Sequence, residues 1–204
     1  MEHTIKTKKR LTFTDQLRVL FKGILDPLAE LLNRWGIHPN VLTLTGVVGT
    51  GVGALLVSQG RLSLGGLLIM LMGPIDALDG PVARVRGEPE DFGAFVDSVS
   101  DRYSELMIFA GLLWYFLQQG NWGASMLVFL AAGGSVLVSY VRARAQSLGF
   151  DAKVGILTRV ERFLVIGPAL LLNIPIIGVG IVAIGANITA LQRVIYVRRE
   201  ARSR

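Results

Sequence analysis

The chain has 204 residues, of which 51% are hydrophobic, with a mean hydropathy of +0.52 and a formal net charge of +6. This composition favours a lipid bilayer as the solvent for most of the chain. The absence of cysteine excludes disulfide bonds and thiolate chemistry. The basic residues gather at the ends of apolar segments, where anionic lipid headgroups would meet them, so we expect no nucleic-acid partner.

The first segment with a helical pattern, residues 13–35, is amphipathic. Its leucine, isoleucine and phenylalanine residues recur at helical spacing, with charged residues between them. We expect a helix on the cytoplasmic membrane surface, and Asp26-Pro27 marks the place where it would break. A helix packed only against the membrane domain is the alternative. Residues 1–36 are therefore interpreted as a cytoplasmic tail with an interfacial helix, and residues 37–204 as one membrane domain.

The rest of the chain contains apolar segments of the length needed to cross a bilayer. The fold class that we predict is an all-α integral membrane protein with about six transmembrane helices. The division between the last two spans rests on Asn173-Ile174-Pro175, which supplies turn chemistry inside an uncharged run, and one long tilted helix is the alternative. The six predicted spans are residues 41–59, 62–78, 101–118, 122–140, 158–172 and 174–196.

Charge asymmetry predicts the orientation of these spans. Lysine and arginine precede the first span, follow the second and the fourth, and close the chain after the sixth. The opposite loops carry one basic residue, Arg61. The positive-inside rule therefore predicts that both termini are cytoplasmic, in a protein of the plasma membrane.

Two pairs of aspartates lie at the predicted cytoplasmic ends of the second and third spans. Asp76 and Asp79 are three residues apart, and Asp97 and Asp101 are four apart, so each pair shares a helix face. Residues 84–92 are enough to turn the chain back, so the two pairs can face each other. Carboxylates beside hydrocarbon are costly unless they are neutralised, and a hard divalent cation is the natural partner. We expect one or two Mg²⁺ ions, with Mn²⁺ as the alternative.

The neighbours of these aspartates favour a diphosphate site over a proton relay. Gly80 and Gly93 would allow a ligand to approach the backbone closely, and Arg84 offers a fixed positive fork. An ordinary structural role is the alternative, in which Asp91 and the second aspartate pair serve as partners of nearby arginines. An ion-coupled transporter or a lipid-binding scaffold would be the competing class of function.

These residues also carry a family resemblance. The pattern Asp76-x-x-Asp79-Gly80-x-x-Ala83-Arg84, eight residues, Gly93-x-x-x-Asp97-x-x-x-Asp101 resembles the complete signature of the CDP-alcohol phosphotransferases. The resemblance implies a membrane enzyme, usually a homodimer, with an interfacial helix and about six spans. Such an enzyme transfers a substituted phosphate from a CDP-linked donor to an alcohol and releases CMP. The expected donor is CDP-diacylglycerol or a related CDP-lipid.

The resemblance also implies roles for the individual residues. The four aspartates would be the metal ligands, and Asp101 would in addition be the general base. A second group would line the nucleotide and its diphosphate. That group comprises Gly80, Ala83, Arg84 and Gly93, together with the turn His38, Pro39 and Asn40 before the first span.

The acceptor is suggested by residues 140–149, 155–162 and 192–193, which are similar to the phosphatidylinositol-phosphate synthase branch of the family. The similarity implies that Arg142, Arg162 and Arg193 hold the phosphate of inositol 1-phosphate. The branch usually has lysine at the first of these positions and proline where Val160 stands. Glycerol 3-phosphate is the alternative acceptor, and simple adherence to the positive-inside rule is the alternative role of the arginines. Glu161 is expected to orient Arg162 or to pair with Arg159.

The predicted dimer has a candidate contact in the first span. Gly49 and Gly53 form a Gly-x-x-x-Gly motif, which permits two helices to approach closely. Packing within one subunit explains the motif equally well.

Overall fold

The computed structural model describes residues 13–87 and 90–203, and within these ranges all regular secondary structure is helical. The predicted tail, residues 1–12, lies outside the described residues. The helices are α1 (Phe13–Arg34), α2 (Pro39–Ser58), α3 (Leu62–Asp76), α4 (Asp79–Arg86), α5 (Glu90–Gln118), α6 (Trp122–Ser147), α7 (Arg159–Leu171) and α8 (Pro175–Ser203).

Each predicted span coincides with a helix, and the prediction of an all-helical membrane protein is confirmed. Within the described residues, four helical stretches are long and apolar enough to cross a membrane: Pro39–Ser58, Leu62–Arg86, Trp122–Ser147 and Pro175–Ser203. The helix α5 carries several charged residues in its first half, and α7 has 13 residues. At 1.5 Å per residue, α7 is about 20 Å long, against a hydrocarbon core of about 30 Å. The total of six crossings therefore stays a prediction.

The predicted break in the amphipathic segment is wrong, because α1 continues through Pro27. Ala29 is fully buried against α4, and Leu25 and Leu32 pack beside it. These three residues form one packed stripe that spans the proline, which holds both halves of α1 on a common axis.

A second apolar stripe of α1 stays exposed. Its residues follow one another at intervals of three or four, so they lie on one helix face. With one stripe packed and the other exposed, α1 combines contact with the membrane domain and an apolar face available to lipid. The exposed residues are Ile24, Leu28 and Leu31, and Trp35 is exposed in the turn that follows α1.

The glycine motif of α2 packs within the chain. A Cβ atom added at Gly53 would lie 2.7 Å from Cγ1 of Ile69, and one added at Gly49 would lie 2.1 Å from the sulfur of Met72, both on α3. The absence of side chains thus lets α2 and α3 approach closely. The motif is used by helix packing inside the subunit.

Two interruptions shape the ends of the helices. The predicted second span ends two residues early, because the chain makes a turn at Ala77-Leu78 between α3 and α4. The predicted turn between the last two helices is present, with Asn173 at a φ of 57° and its side-chain amide donating to Ser63 Oγ at 2.7 Å. The turn between α3 and α4 positions Asp76 and Asp79.

Candidate active site

Three of the four signature aspartates meet at one point of the structure. Asp76 is the last residue of α3, while Asp97 and Asp101 lie one turn apart on α5. Each contributes a carboxylate oxygen to a group in which all ligand atoms lie within 4.8 Å of one another. Asp101 is the most deeply placed, at 8% relative exposure.

Asp79 lies beside this group and is held by two hydrogen bonds. The hydroxyl of Thr43 on α2 donates to its Oδ2 at 2.7 Å, and the backbone N–H of Gly80 donates to its Oδ1 at 2.6 Å. The charges of Asp76 and Asp97 both repel the Asp79 carboxylate. The turn between α3 and α4 thus sets Asp79 apart from Asp76 while leaving it within electrostatic reach.

Arg159, the first residue of α7, provides positive charge to the carboxylates. Its Nη2 atom is 2.8 Å from Asp76 Oδ2 and also makes an ion pair with Asp101 Oδ1. Arg102 approaches Asp101 more distantly, at 3.7 Å. The sequence presents Arg159 as one of the basic residues near helix ends or as a partner of Glu161, and no local signal connects it to an aspartate 83 positions earlier.

The donor set fits a divalent metal ion. Converging carboxylate oxygens are the ligands that Mg²⁺ and Mn²⁺ prefer. Asp101 Oδ1 is buried and, among the described residues, accepts no hydrogen bond although it is paired with Arg159. A buried carboxylate oxygen of this kind retains the capacity to bind a cation.

The residues predicted to bind the nucleotide lie at the start of α2, on α4 and near the start of α5. His38 caps α2, its Nδ1 accepting from the Asn40 N–H at 3.3 Å, and Pro39 is the buried first residue of the helix. On α4, a Cβ added at Gly80 would lie 3.7 Å from the Arg84 guanidinium.

The remaining two nucleotide candidates lie on α4 and α5. Ala83 is half-buried, and Gly93 is exposed with open space around its Cα. The helix α4 packs against both α2 and α5, so the helices that carry these candidates contact one another.

The three arginines assigned to the acceptor come from three helices. Arg162 and Arg193 are each 2% exposed, and Arg142 is half-buried. The charges of Arg142 and Arg162 both repel the guanidinium of Arg193. The structure therefore brings these cations within electrostatic range of one another.

Two of these arginines are also held by the protein itself. Arg162 makes a bidentate pair with Glu105, with Nε–Oε1 at 2.6 Å and Nη2–Oε2 at 2.9 Å, and its Nη1 donates to the Leu157 carbonyl. Arg193 donates to the carbonyls of Val154 and Val138 at 2.9 and 2.6 Å.

The expectation that Glu161 orients Arg162 or pairs with Arg159 is wrong. Arg162 is paired with Glu105, and Arg159 is paired with aspartates. Glu161 instead accepts a hydrogen bond from the hydroxyl of Thr158, which precedes α7. Glu105 lies one turn after Asp101 on α5, so the same helix supplies a carboxylate to both groups. The four-residue spacing between Asp101 and Glu105 is the sequence pattern that could have indicated this role of Glu105.

Comparison with known proteins identifies the family. The profile of the CDP-alcohol phosphatidyltransferases matches residues 36–192. This chain belongs to the CDP-alcohol phosphatidyltransferase family. It is therefore a phosphotransferase, and the family predicted from the aspartate signature is confirmed.

Relatives with assigned names agree with this placement. The chain is 39% identical over 155 residues to a phosphatidylinositol phosphate synthase of Cutibacterium acnes, covering 74% of each chain. It is 37% identical over 152 residues to an archaetidylinositol phosphate synthase of Methanothermobacter thermautotrophicus, again covering 74% of each.

Solved structures of the Mycobacterium tuberculosis phosphatidylinositol phosphate synthase share the fold. The form with CDP-DAG bound superposes with a TM-score of 0.79 at 30% identity, covering 85% of this chain and 93% of that one. The form in complex with manganese and citrate gives a TM-score of 0.80 at 29% identity, covering 85% and 88%.

Proposed function

We propose that this enzyme transfers a phosphatidyl group, or the corresponding ether-lipid group, from a CDP-lipid to inositol 1-phosphate and releases CMP. The observation that carries the proposal is the convergence of three carboxylates within 4.8 Å on α3 and α5, next to α7 and α8, which carry the two buried arginines. Such a site joins ligands for a metal to cations for a phosphate. The names of the relatives and the CDP-DAG found in the mycobacterial structure support this donor and this acceptor.

The aspartates are proposed to hold the metal. Asp76, Asp97 and Asp101 offer converging oxygens, and Asp79, oriented by Thr43, offers a further carboxylate. Mg²⁺ is the proposed ion, one or two in number, and Mn²⁺ is the alternative, which the manganese-bound relative supports. When bound, the ion would neutralise charge on the phosphate oxygens of the donor.

Asp101 is proposed to act as the general base. Its Oδ2 atom takes the proton of the acceptor hydroxyl, the hydroxyl oxygen forms a bond to the lipid-side phosphorus, and the bond from that phosphorus to CMP breaks. The burial of Asp101 supports this role, because a largely desolvated carboxylate has less water competing for its oxygens. Arg102, 3.7 Å from Oδ2, stays near enough to orient the group.

The donor and acceptor would be held by the two remaining groups of residues. His38, Pro39, Asn40, Gly80, Ala83, Arg84 and Gly93 are proposed to line the cytidine diphosphate. Arg142, Arg162 and Arg193 are proposed to hold the acceptor phosphate. A guanidinium has five N–H donors, so the three bonds made by Arg162 and the two made by Arg193 leave donors for a ligand.

We further propose the membrane arrangement. Six crossings are proposed from the lengths of the apolar segments. Cytoplasmic termini and a site facing the cytoplasm of the plasma membrane are proposed from the distribution of basic residues. Residues 1–36 would be the tail and interfacial helix, and residues 37–204 the membrane domain. A homodimer is proposed from the family resemblance.

The test uses purified protein with Mg²⁺ and CDP-diacylglycerol, to which inositol 1-phosphate, glycerol 3-phosphate, inositol and serine are offered separately. We expect CMP release with inositol 1-phosphate. Release with glycerol 3-phosphate alone would transfer the assignment to phosphatidylglycerophosphate synthesis. No release with any acceptor, in protein that binds Mg²⁺, would favour a transporter or a scaffold.

A further inference from the structure

One nitrogen atom of Arg159 occupies the position of a cation among the carboxylates. Nη2 contacts Asp76 Oδ2 at 2.8 Å and also contacts Asp101 Oδ1. Both aspartates belong to the group whose ligand atoms lie within 4.8 Å. A positive nitrogen that contacts oxygens of two carboxylates from two helices neutralises the same atoms that a metal ion would bind.

The placement of these charges on their helices is unfavourable without the pair. Asp76 is the last residue of α3, where the helix dipole is negative, and Arg159 is the first residue of α7, where it is positive. Each side chain therefore stands at the helix end that disfavours its charge. The ion pair offsets both penalties when no metal ion is bound.

The ion pair between Arg159 and the carboxylates is accessible enough to be broken. The Arg159 side chain is 49% exposed, so it can rotate away from the carboxylates without disturbing the core. Arg162, three residues later, is 2% exposed and has its own carboxylate partner in Glu105. Arg159 is thus the exposed cation and Arg162 the buried one.

We infer that Arg159 is a built-in counter-ion that competes with the divalent cation for Asp76 and Asp101. This inference rests on the proposed metal site. In the metal-free protein, Arg159 holds α3, α5 and α7 together around the carboxylates. Metal binding displaces its guanidinium, so the ion pair lowers the affinity for metal while it stabilises the metal-free form.

The first test measures Mn²⁺ binding by full-length protein in detergent, from the EPR signal of free Mn²⁺ during a titration. Arg159→Gln is compared with Arg61→Gln, which makes the same charge change at the start of α3, about 22 Å of helix away from Asp76. We expect Arg159→Gln to bind Mn²⁺ about tenfold more tightly than Arg61→Gln, within the range of roughly 5–150-fold typical of coupled sites.

Thermal unfolding supplies a readout independent of the titration. Without metal, Arg159→Gln should unfold at a lower temperature than Arg61→Gln, because its carboxylates repel one another uncompensated. With saturating Mn²⁺, it should gain more in melting temperature than the control.

A third measurement needs no variant. Phenylglyoxal modifies accessible arginines, and mass spectrometry of wild-type protein locates the modified residue. Mn²⁺ should accelerate modification at Arg159 and leave the rate at Arg61 unchanged. An unchanged rate at Arg159 would overturn the inference even if Arg159→Gln fails to fold.

The outcomes separate the inference from the proposed function. Equal or weaker Mn²⁺ binding by Arg159→Gln, with binding intact in the wild type, overturns only the role of Arg159. A wild-type protein that binds no Mn²⁺ overturns the proposed metal site and the inference with it.

Discussion

The bidentate pair between Glu105 and Arg162 should make the stability of this membrane domain sensitive to the loss of either partner. Replacing Glu105 by alanine would leave the guanidinium of Arg162, which is 2% exposed, without its carboxylate. Two short charge-assisted hydrogen bonds of 2.6 and 2.9 Å would be lost, and only the bond to the Leu157 carbonyl would remain. Removing one partner of a buried ion pair costs about 3–5 kcal/mol, because the remaining charge stays desolvated.

This cost should appear as a large shift in thermal unfolding of the purified protein. For a chain of this size, 3 kcal/mol corresponds to a fall of about 6–12 °C in melting temperature. Asp151→Ala is the matched control, since it breaks an ion pair with Lys153 whose side chains are 47% and 44% exposed. Exposed pairs contribute about 0–1 kcal/mol, so the control should shift the melting temperature by at most a few degrees.

A double variant removes both charges of the pair. Glu105→Leu combined with Arg162→Met replaces the buried pair by apolar side chains and should be more stable than Glu105→Ala alone. If Glu105→Ala and Asp151→Ala lowered the melting temperature equally, the argument from burial would be refuted.

Three further predictions follow from other contacts. Asp101→Asn should lower the rate of CMP release by about 10²–10⁴-fold, because a positioned general base contributes about that much. Undiminished CMP release would show that Asp101 is not the base. Thr43→Val should weaken Mn²⁺ binding by about 10–100-fold, because the hydrogen bond that orients Asp79 is lost. Thr43→Ser should retain this hydrogen bond and the affinity for Mn²⁺. Equal Mn²⁺ titrations for the two variants would contradict the prediction. Gly111→Ala should destabilise the protein by about 1–3 kcal/mol in thermal unfolding, since the added Cβ would lie 2.4 Å from a carbonyl oxygen of α2. Gly133→Ala, with nothing within 4 Å of the added atom, is its control, and matching melting temperatures would count against the close contact.

Much of the helical architecture follows from local sequence. Hydrophobic runs of bilayer length and the turn at Asn173 predict the α2, α6 and α8 helices, because helix formation and burial in lipid depend on the segment itself. The break expected at Pro27 failed for the opposite reason. Packing around Ala29 against another helix overrides a local breaker, and this contact is invisible in the segment.

The aspartate signature and its spacing are properties of the sequence alone. They determine that two carboxylate pairs share helix faces near the ends of apolar helices, and they identify the family. The reason is that spacings of three and four residues translate directly into positions on a helix.

The partners of these carboxylates were decided only by the tertiary structure. Thr43 reaches Asp79 across 36 positions of sequence, Glu105 is paired with Arg162 across 57, and Arg159 reaches Asp76 across 83. Such contacts depend on how α2, α3, α5 and α7 pack, and no periodicity within one helix encodes them. The sequence determined which residues carry negative charge into the membrane domain, and the packing of helices determined which positive charge meets each of them.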